Sequence, residues 1–129
     1  MLLLDTCAYL LYYSAPELMP KTVRRKIETA EKFAVSLASV WEVAIKVQVG
    51  KLRLDLPVED WVRRSLGNPN LLLMPITPTL AVYSTQLPVP FHKDPFDRVI
   101  VATAIQENLT VITRDERILS YPNLKVLAC

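Results

Sequence analysis

Short apolar runs alternate along the chain with longer segments in which apolar residues recur every three or four positions. Runs of the first kind are typical of strands buried in a parallel sheet, and segments of the second kind predict amphipathic helices. The predicted strands are residues 2–4, 33–37, 71–74, 109–113 and 124–127. The predicted helices are residues 6–13, 20–31, 39–50, 57–67, 78–87, 95–109 and 115–119.

Proline, glycine and short polar residues mark where the predicted helices begin and end. Pro95 can occupy a first helical position, and Gly50 can end a helix. Ser39 and Glu42 have the spacing of a capping box, which predicts that a helix begins at Ser39 with Glu42 in its first turn. The proline-rich segment 88–93 cannot form regular structure and is predicted to be a loop.

The alternation of strands and helices predicts a single α/β domain over residues 1–129, with a mostly parallel central sheet and right-handed crossovers. A chain of 129 residues can bury a core without a disulfide or a structural metal. Ligands of such sheets bind beyond the carboxyl ends of the strands, where the winding order reverses. Functional residues are therefore expected at that edge of the sheet.

Composition narrows the class of protein. No apolar run approaches the roughly 18 residues that span a bilayer, so a membrane protein is excluded at this stage. The first residues lack a basic leader, which argues against export. Cys7 and Cys129 are far apart in sequence and have no metal-ligand spacing, as expected for a reduced cytoplasmic protein. The net charge of +2 is small, but the basic residues of the chain are clustered and can bind a polyanion over an acidic centre.

Acidic residues recur where an apolar run gives way to a helical segment. Asp5 and Asp115 follow predicted strands. Glu42 and Asp97 lie in the first turns of predicted helices, and Asp94 is a further acid three residues before Asp97. In a parallel sheet all these positions fall at one edge. Carboxylates within a few ångströms repel one another and stay ionised together only if a cation lies among them, so the pattern predicts a divalent metal site.

Helix capping is a simpler explanation for each acid taken alone, because carboxylates are favoured at helix N-termini. Two of the acids favour the metal site instead. Asp5 follows three leucines and Asp97 precedes the string Val-Ile-Val-Ala, so both are expected to be buried. A buried carboxylate without a partner is unfavourable, and coordination of a cation removes that penalty.

Further side chains lie where they can support such a site, although each also has a structural explanation. Thr6, Ser39 and Thr113 can orient carboxylates or water, or simply cap helices. His92 is the only histidine and is interpreted as a loop or substrate contact rather than a metal ligand. Arg98 adds positive charge beside the acids.

The strings LLLDT, SLASVWEVAIKVQVGKL, LLLMPITP, HKDPFDRVIVATAI and VITRD, in this order, resemble the PIN-domain ribonucleases and among them the VapC toxins of toxin–antitoxin pairs. The resemblance covers essentially the whole chain. It implies a three-layer α/β/α fold, cleavage of RNA that depends on Mg²⁺ or Mn²⁺, a VapB-type antitoxin that covers the site, and a homodimer. The family's acidic quartet falls on Asp5, Glu42, Asp97 and Asp115, with Asp94 as an additional acid.

The function predicted from the residues and the resemblance is an endoribonuclease that hydrolyses RNA phosphodiesters with metal-activated water. Asp5, Glu42 and Asp97 would hold the principal ion, and Asp115 a second ion or the water. Two alternatives stay open: a PIN nuclease that processes RNA without being a toxin, and a catalytically silent protein-binding module.

Two single positions add to this picture. An aspartyl-phosphate phosphatase is disfavoured because that chemistry needs an acid where this chain has Cys7. Cys7 also departs from the VapC subfamily, in which histidine is common after the Asp-Thr pair. Trp61 and its neighbours are expected to provide apolar surface for an antitoxin.

Overall fold

The computed structural model describes residues 1–129 and contains five strands and seven α-helices. The strands are β1 Leu2–Leu4, β2 Phe33–Ser36, β3 Leu71–Met74, β4 Thr110–Thr113 and β5 Val126–Ala128. The helices are α1 Thr6–Ser14, α2 Lys21–Thr29, α3 Leu37–Gln48, α4 Val58–Leu66, α5 Pro78–Tyr83, α6 Pro95–Glu107 and α7 Glu116–Leu119. A 3₁₀ turn, Pro16–Leu18, follows α1 and was not predicted. None of the helices is both long enough and apolar enough to cross a lipid bilayer.

All five strands are parallel, in the order β3-β2-β1-β4-β5, so the predicted mostly parallel sheet is confirmed. The central strand β1 pairs with β2 on one side and β4 on the other, and Leu3 lies opposite both Ala34 and Val111. Strands β2 and β3 extend the sheet in one direction, and β4 and β5 extend it in the other. The winding order therefore reverses at β1, where ligand sites of such sheets form.

The sheet separates two hydrophobic layers, because successive side chains of a strand point to opposite faces. Leu4 and Val35 face one layer, which includes Tyr9 and Trp61 from the helices. The neighbouring strand residues face the other layer together with the buried side of α6 and with α7. The predicted three-layer α/β/α fold is thus confirmed. Helix α6 is buried from Val99 to Ala104, as its apolar composition predicted.

The capping-box prediction for α3 is wrong. The helix begins at Leu37, with the Ser36 hydroxyl as the cap that accepts from the Ala38 amide at 3.0 Å. Ser39 therefore lies inside the helix, and Glu42 lies in the second turn rather than the first. Strand β2 ends directly in this helix without a loop, so the capping residue lies three positions before the predicted one. Glu42 still faces the edge of the sheet, because a shift of about one turn moves a residue along the helix axis but leaves it on the same side of the helix.

Two predictions of burial are also wrong. Strand β3 lies at the edge of the sheet, so that only Leu71 is buried and its next two leucines are exposed. Trp61, expected at the surface, is only 4% exposed. It packs edge-on against Tyr9, and its indole N–H donates to the Ser14 hydroxyl at 2.9 Å. The exposed tryptophan is Trp41 on α3, at 58%.

Candidate functional site

One cavity opens at the carboxyl ends of the central strands, where the winding order reverses. Its volume is about 450 Å³, and its lining is almost entirely polar. Five carboxylates and three cationic side chains surround it, and all four acids of the predicted quartet are among them. The lining residues are Asp5, Thr6, Cys7, Glu42, Lys46, Asp94, Asp97, Arg114, Asp115 and Arg117.

Asp5 lies at the centre of this edge, because it directly follows β1, the middle strand of the sheet. It is 5% exposed, and one carboxylate oxygen accepts from the Ala8 amide at 2.8 Å as the cap of α1. The other oxygen accepts a short hydrogen bond from the Thr113 hydroxyl. Burial raises the pKa of Asp5, and these two donors together oppose that rise. The carboxylate is therefore fixed in position and aimed at the cavity.

Asp97 reaches the cavity from the first turn of α6. Asp94 caps that helix and accepts from the amides of Phe96 and Asp97 at 2.9 and 3.1 Å, as the sequence predicted for an Asp-Pro start. The capping leaves the Asp97 side chain free to face the other acids. Burial, and after it repulsion from Asp94, Glu42 and further carboxylates, raises its pKa to about 7. Of all the acids at the site, Asp97 is the one most in need of a cation.

Glu42 brings a carboxylate from α3, which follows β2 on the other side of β1. Its Oε2 lies 3.5 Å from the Lys46 ammonium one turn later, so the two residues form an intrahelical ion pair. Its Oε1 is buried and has no hydrogen-bond partner. An oxygen of this kind is unfavourable unless a further group binds it. Glu42 thus carries one oxygen that is available to a ligand in the cavity.

Asp115 follows β4 and caps the short helix α7. The Arg117 guanidinium makes two contacts to it, at 3.1 and 3.3 Å, and this hydrogen bonding lowers the pKa of Asp115. His92 lies between Arg117 and Asp97. Its Nδ1 is 3.4 Å from the Arg117 guanidinium, and its Nε2 is 3.1 Å from the Asp97 carboxylate. Asp115 is therefore the acid of the quartet that a guanidinium holds by side-chain hydrogen bonds, whereas Glu42 has a longer ion pair with Lys46.

The predicted supporting residues divide into two groups. Thr113 is buried and links two acids, since its hydroxyl donates to Asp5 and accepts from the Asp115 amide at 3.0 Å. Thr6 donates to the Ser39 hydroxyl at 3.0 Å, a bond that joins α1 to α3 beside the cavity. These hydrogen bonds position the acids, and they add no further carboxylate to the site.

Arg98 does not line the cavity. It donates to the carbonyls of Ser84, Phe91 and His92 at 2.8 to 3.1 Å. The two bonds to Phe91 and His92 hold the proline-rich loop 88–93 against α6, which places His92 beside Asp97. The bond to Ser84 ties α6 to the end of α5. Arg98 therefore acts on the site through the loop.

Two cationic residues at the site were expected only as members of the clustered positive charge. Arg114 directly follows β4 and Arg117 lies on α7, and both line the cavity. Cys7, in the first turn of α1, also lines it, and burial raises the pKa of its thiol. A thiol with a raised pKa is a poor nucleophile, so the geometry does not favour chemistry at Cys7.

The set of donors fits a divalent cation that prefers oxygen ligands. Four carboxylates from four different elements face one cavity, and the unpartnered Oε1 of Glu42 is among their oxygens. Burial, and after it repulsion from the neighbouring carboxylates, raises the pKa of Asp97, and a bound cation would offset both effects. Mg²⁺ and Mn²⁺ are bound by carboxylates and water in such sites.

The Asp97→Asn substitution should stabilise the protein at neutral pH when divalent cations are absent. Because the pKa of Asp97 is about 7 when folded and 3.8 ordinarily, its contribution to stability is complete below pH 4 and is lost as the pH rises through 7. Asparagine avoids that loss. We expect the variant to exceed the wild type by about 1 to 2 kcal/mol in the free energy of unfolding at pH 8, and by little at pH 4.5.

Urea unfolding in EDTA at the two pH values measures this difference. Asp55→Asn, at an exposed position outside the cavity, is the matched control and should leave the pH dependence unchanged. An Asp97→Asn variant that is less stable than the wild type at pH 8 would show that the acids do not repel one another at this site.

Comparisons with known proteins agree on the family. The PIN-domain family profile matches residues 2–124. Ribonuclease VapC22 of Mycobacterium tuberculosis is 30% identical over 119 residues, which are 92% of this chain and 90% of the relative.

Solved structures show the same fold at lower identity. A chain in the crystal structure of VapBC2 from Rickettsia felis, bound to a DNA fragment from their promoter, has a TM-score of 0.70 at 18% identity, covering 99% of this chain and 98% of that one. A chain of FitAcB from Neisseria gonorrhoeae has a TM-score of 0.67 at 23% identity, with 98% and 96% covered. The chain therefore belongs to the PIN-domain family and, within it, to the VapC ribonucleases.

Proposed function

We propose that this chain is a divalent-metal-dependent endoribonuclease, the toxin of a VapBC pair, and that Asp5, Glu42, Asp97 and Asp115 form its active site with Mg²⁺ or Mn²⁺. The observation that carries the proposal is the convergence of carboxylates from four elements of the fold on one cavity, where the buried Oε1 of Glu42 has no hydrogen-bond partner. Such an arrangement is unfavourable on its own and becomes favourable with a cation. The 30% identity to ribonuclease VapC22 supports RNA as the substrate.

The residues of the quartet differ in how they are held, and this suggests different roles. Asp5 is fixed by two hydrogen bonds at the centre of the sheet edge and is the best placed to anchor a cation. Glu42 and Asp97 face it with oxygens that have no strong partner. A bound Mg²⁺ or Mn²⁺ would lower the pKa of a water molecule and offset the charge that develops on the phosphate.

Asp115 has a separate part in the proposal. Its carboxylate is ionised and tied to Arg117, so that it can orient a water molecule or share in holding a second cation. No serine or cysteine nucleophile is needed for this chemistry, because water attacks the phosphodiester. Asp94 is assigned to capping α6 and to the electrostatic field of the site rather than to direct coordination.

The RNA backbone would approach over the cationic rim of the cavity. Lys46, Arg114 and Arg117 lie on different elements around the acids, and the Arg114 and Arg117 side chains are exposed or partly so. Cationic groups of this kind bind phosphates without reading sequence, and their contribution weakens as the salt concentration rises. They would place the phosphate between the acids and the solvent.

A VapB-type antitoxin and a second copy of the chain are the proposed protein partners in the cytoplasm. The fold shared with chains of the VapBC2 and FitAcB structures supports a partner of this kind. Helix α3, which also carries Glu42, adds a physical reason, since it exposes Leu37 and Trp41, one helical turn apart, at 40% and 58%. Neighbouring exposed apolar side chains can form part of a surface that another protein covers.

Cleavage of a fluorogenic RNA by purified protein tests the proposed activity. With Mg²⁺ or Mn²⁺ the wild type should cleave, and EDTA should abolish cleavage. Asp5→Asn and Asp97→Asn should each lower the rate on the order of 100-fold or more, because each removes a proposed ligand of the cation. Loss of cleavage in Asp97→Asn, purified in parallel, excludes a contaminating nuclease, and the exposed Asp55→Asn variant should match the wild type.

Cleavage that persists in Asp97→Asn would contradict the assignment of the site. A folded wild type that binds Mn²⁺ but cleaves no RNA would indicate a silent binding module. Growth arrest on expression then separates a toxin from a PIN nuclease that processes RNA, since only the toxin should stop growth.

The partner proposal predicts a small protein that copurifies with the tagged chain from its native host. Trp41→Asp should lower its recovery strongly, whereas Val82→Asp, an equally exposed site on α5, should not. Light scattering of the purified chain should give about twice its mass of 14.6 kDa. Recovery that is equal for both variants, or a monomeric mass, would contradict the corresponding partner.

A further inference from the structure

The loop 88–93 places the only histidine of the chain against two acids of the site. One donor atom each of His92, Asp97 and Asp115 lies within 4.8 Å of the others. His92 Nε2 and Asp97 Oδ2 are 3.1 Å apart. Neighbouring ligands of an octahedral ion with bonds of about 2.1 Å are about 3 Å apart, so this pair already has the spacing of two adjacent ligands.

An ordinary ion pair does not account for this contact. The Nε2 atom of His92 is buried and makes no hydrogen bond, although the Asp97 oxygen lies within reach. The ring N–H is therefore not directed at the carboxylate. Two such atoms, close together but not hydrogen-bonded to each other, can both bind a third atom that lies in front of them. A cation at that point would satisfy the buried nitrogen as well as the carboxylate.

Asp115 is the third member of the cluster, and Arg117 now binds it. The same guanidinium lies 3.4 Å from His92 Nδ1, so Arg117 bridges two of the three residues. Its side chain is 61% exposed and can turn towards the solvent without disturbing the core. Arg117 and a metal ion would therefore compete for Asp115, because both carry positive charge to the same carboxylate.

We propose that His92, Asp97 and Asp115 form a second cation subsite, with imidazole nitrogen as one ligand, that selects a divalent transition-metal ion over Mg²⁺. Asp97 is shared with the oxygen-only subsite of Asp5 and Glu42. Imidazole suits transition metals such as Fe²⁺, Ni²⁺ and Zn²⁺, whereas carboxylate, carbonyl and water suit Mg²⁺, and this difference gives the selectivity. Mn²⁺ also accepts oxygen ligands and binds most weakly of the series, so it is the most demanding probe of an imidazole ligand. The inference rests on the proposed function, since it adds a ligand and a preference to the same metal centre, and it revises the interpretation of His92 as only a loop or substrate contact.

Pulsed electron paramagnetic resonance of Mn²⁺ tests the ligand directly, without an activity assay. Tag-free protein is loaded with less than one equivalent of Mn²⁺ in an excess of Mg²⁺, which fills the oxygen-only subsite. Because the chain has one histidine, imidazole ¹⁴N modulation of the Mn²⁺ echo can come only from His92. We expect this modulation in the wild type and its loss in His92→Gln, with Mn²⁺ affinity lower by about tenfold or more.

Bound Mn²⁺ without imidazole modulation in the wild type would overturn the subsite while leaving the proposed function intact. Modulation that survives in His92→Gln would overturn it as well. A wild type that binds no Mn²⁺ at all would overturn both proposals.

A second variant keeps the test independent of any effect of His92 on the loop. Arg117→Gln should bind Mn²⁺ more tightly by about tenfold, because it removes the competing cation from Asp115. Arg63→Gln, which removes an exposed guanidinium from an ion pair on α4, is the control and should bind Mn²⁺ as the wild type does. Weaker or unchanged binding by Arg117→Gln would contradict the competition and with it the place of Asp115 in the subsite.

Discussion

Mutual repulsion among buried carboxylates is the interaction on which the rest of this site depends. Asp5, Glu42 and Asp97 come from three different elements, yet they face one cavity at the middle of the sheet. Such repulsion would push mobile side chains apart, so the acids stay together only because the fold fixes their backbones. The fold thus holds these carboxylates together against their mutual repulsion until a cation or a proton offsets their charge.

The packed sheet supplies the rigidity that this arrangement requires. Strands β1 and β4 are buried on both faces, and their ends place Asp5 and Asp115 side by side. The buried hydroxyl of Thr113 lies between these two acids and hydrogen-bonds to both residues. A substitution in the sheet would therefore affect the site by moving these acids, and it would not remove any of the carboxylates. The hydrophobic layers on both faces therefore serve function as well as stability.

The sequence predicted the parts of the site that depend on the order of elements along the chain. Asp5 and Asp115 could be placed because each follows an apolar run, and Asp97 because an Asp-Pro pair marks the start of α6. Glu42 was placed at the right edge by a wrong argument, since Ser36 and not Ser39 caps α3. Strand β2 runs straight into that helix, and no local pattern shows where such a junction falls.

Contacts between distant segments could not be predicted from local patterns. The pairing of His92 with Asp97 depends on two hydrogen bonds by which Arg98 holds the loop against α6. The burial of Trp61 depends on the path of the chain after α3. The sequence of its face of α4 does not show whether that face packs against α1 or is exposed to solvent. The exposure of β3 follows from its place at the edge of the sheet, which only the strand order decides.

Calorimetric titration with Mn²⁺ at pH 7.5 tests most directly whether the acids are gathered around a cation. The account predicts saturable binding to the wild type, binding that is lost or weakened by at least about tenfold in Asp5→Asn, and unchanged binding in the exposed Asp55→Asn control. No saturable binding to the folded wild type, or equal binding by the wild type and Asp5→Asn, would contradict it.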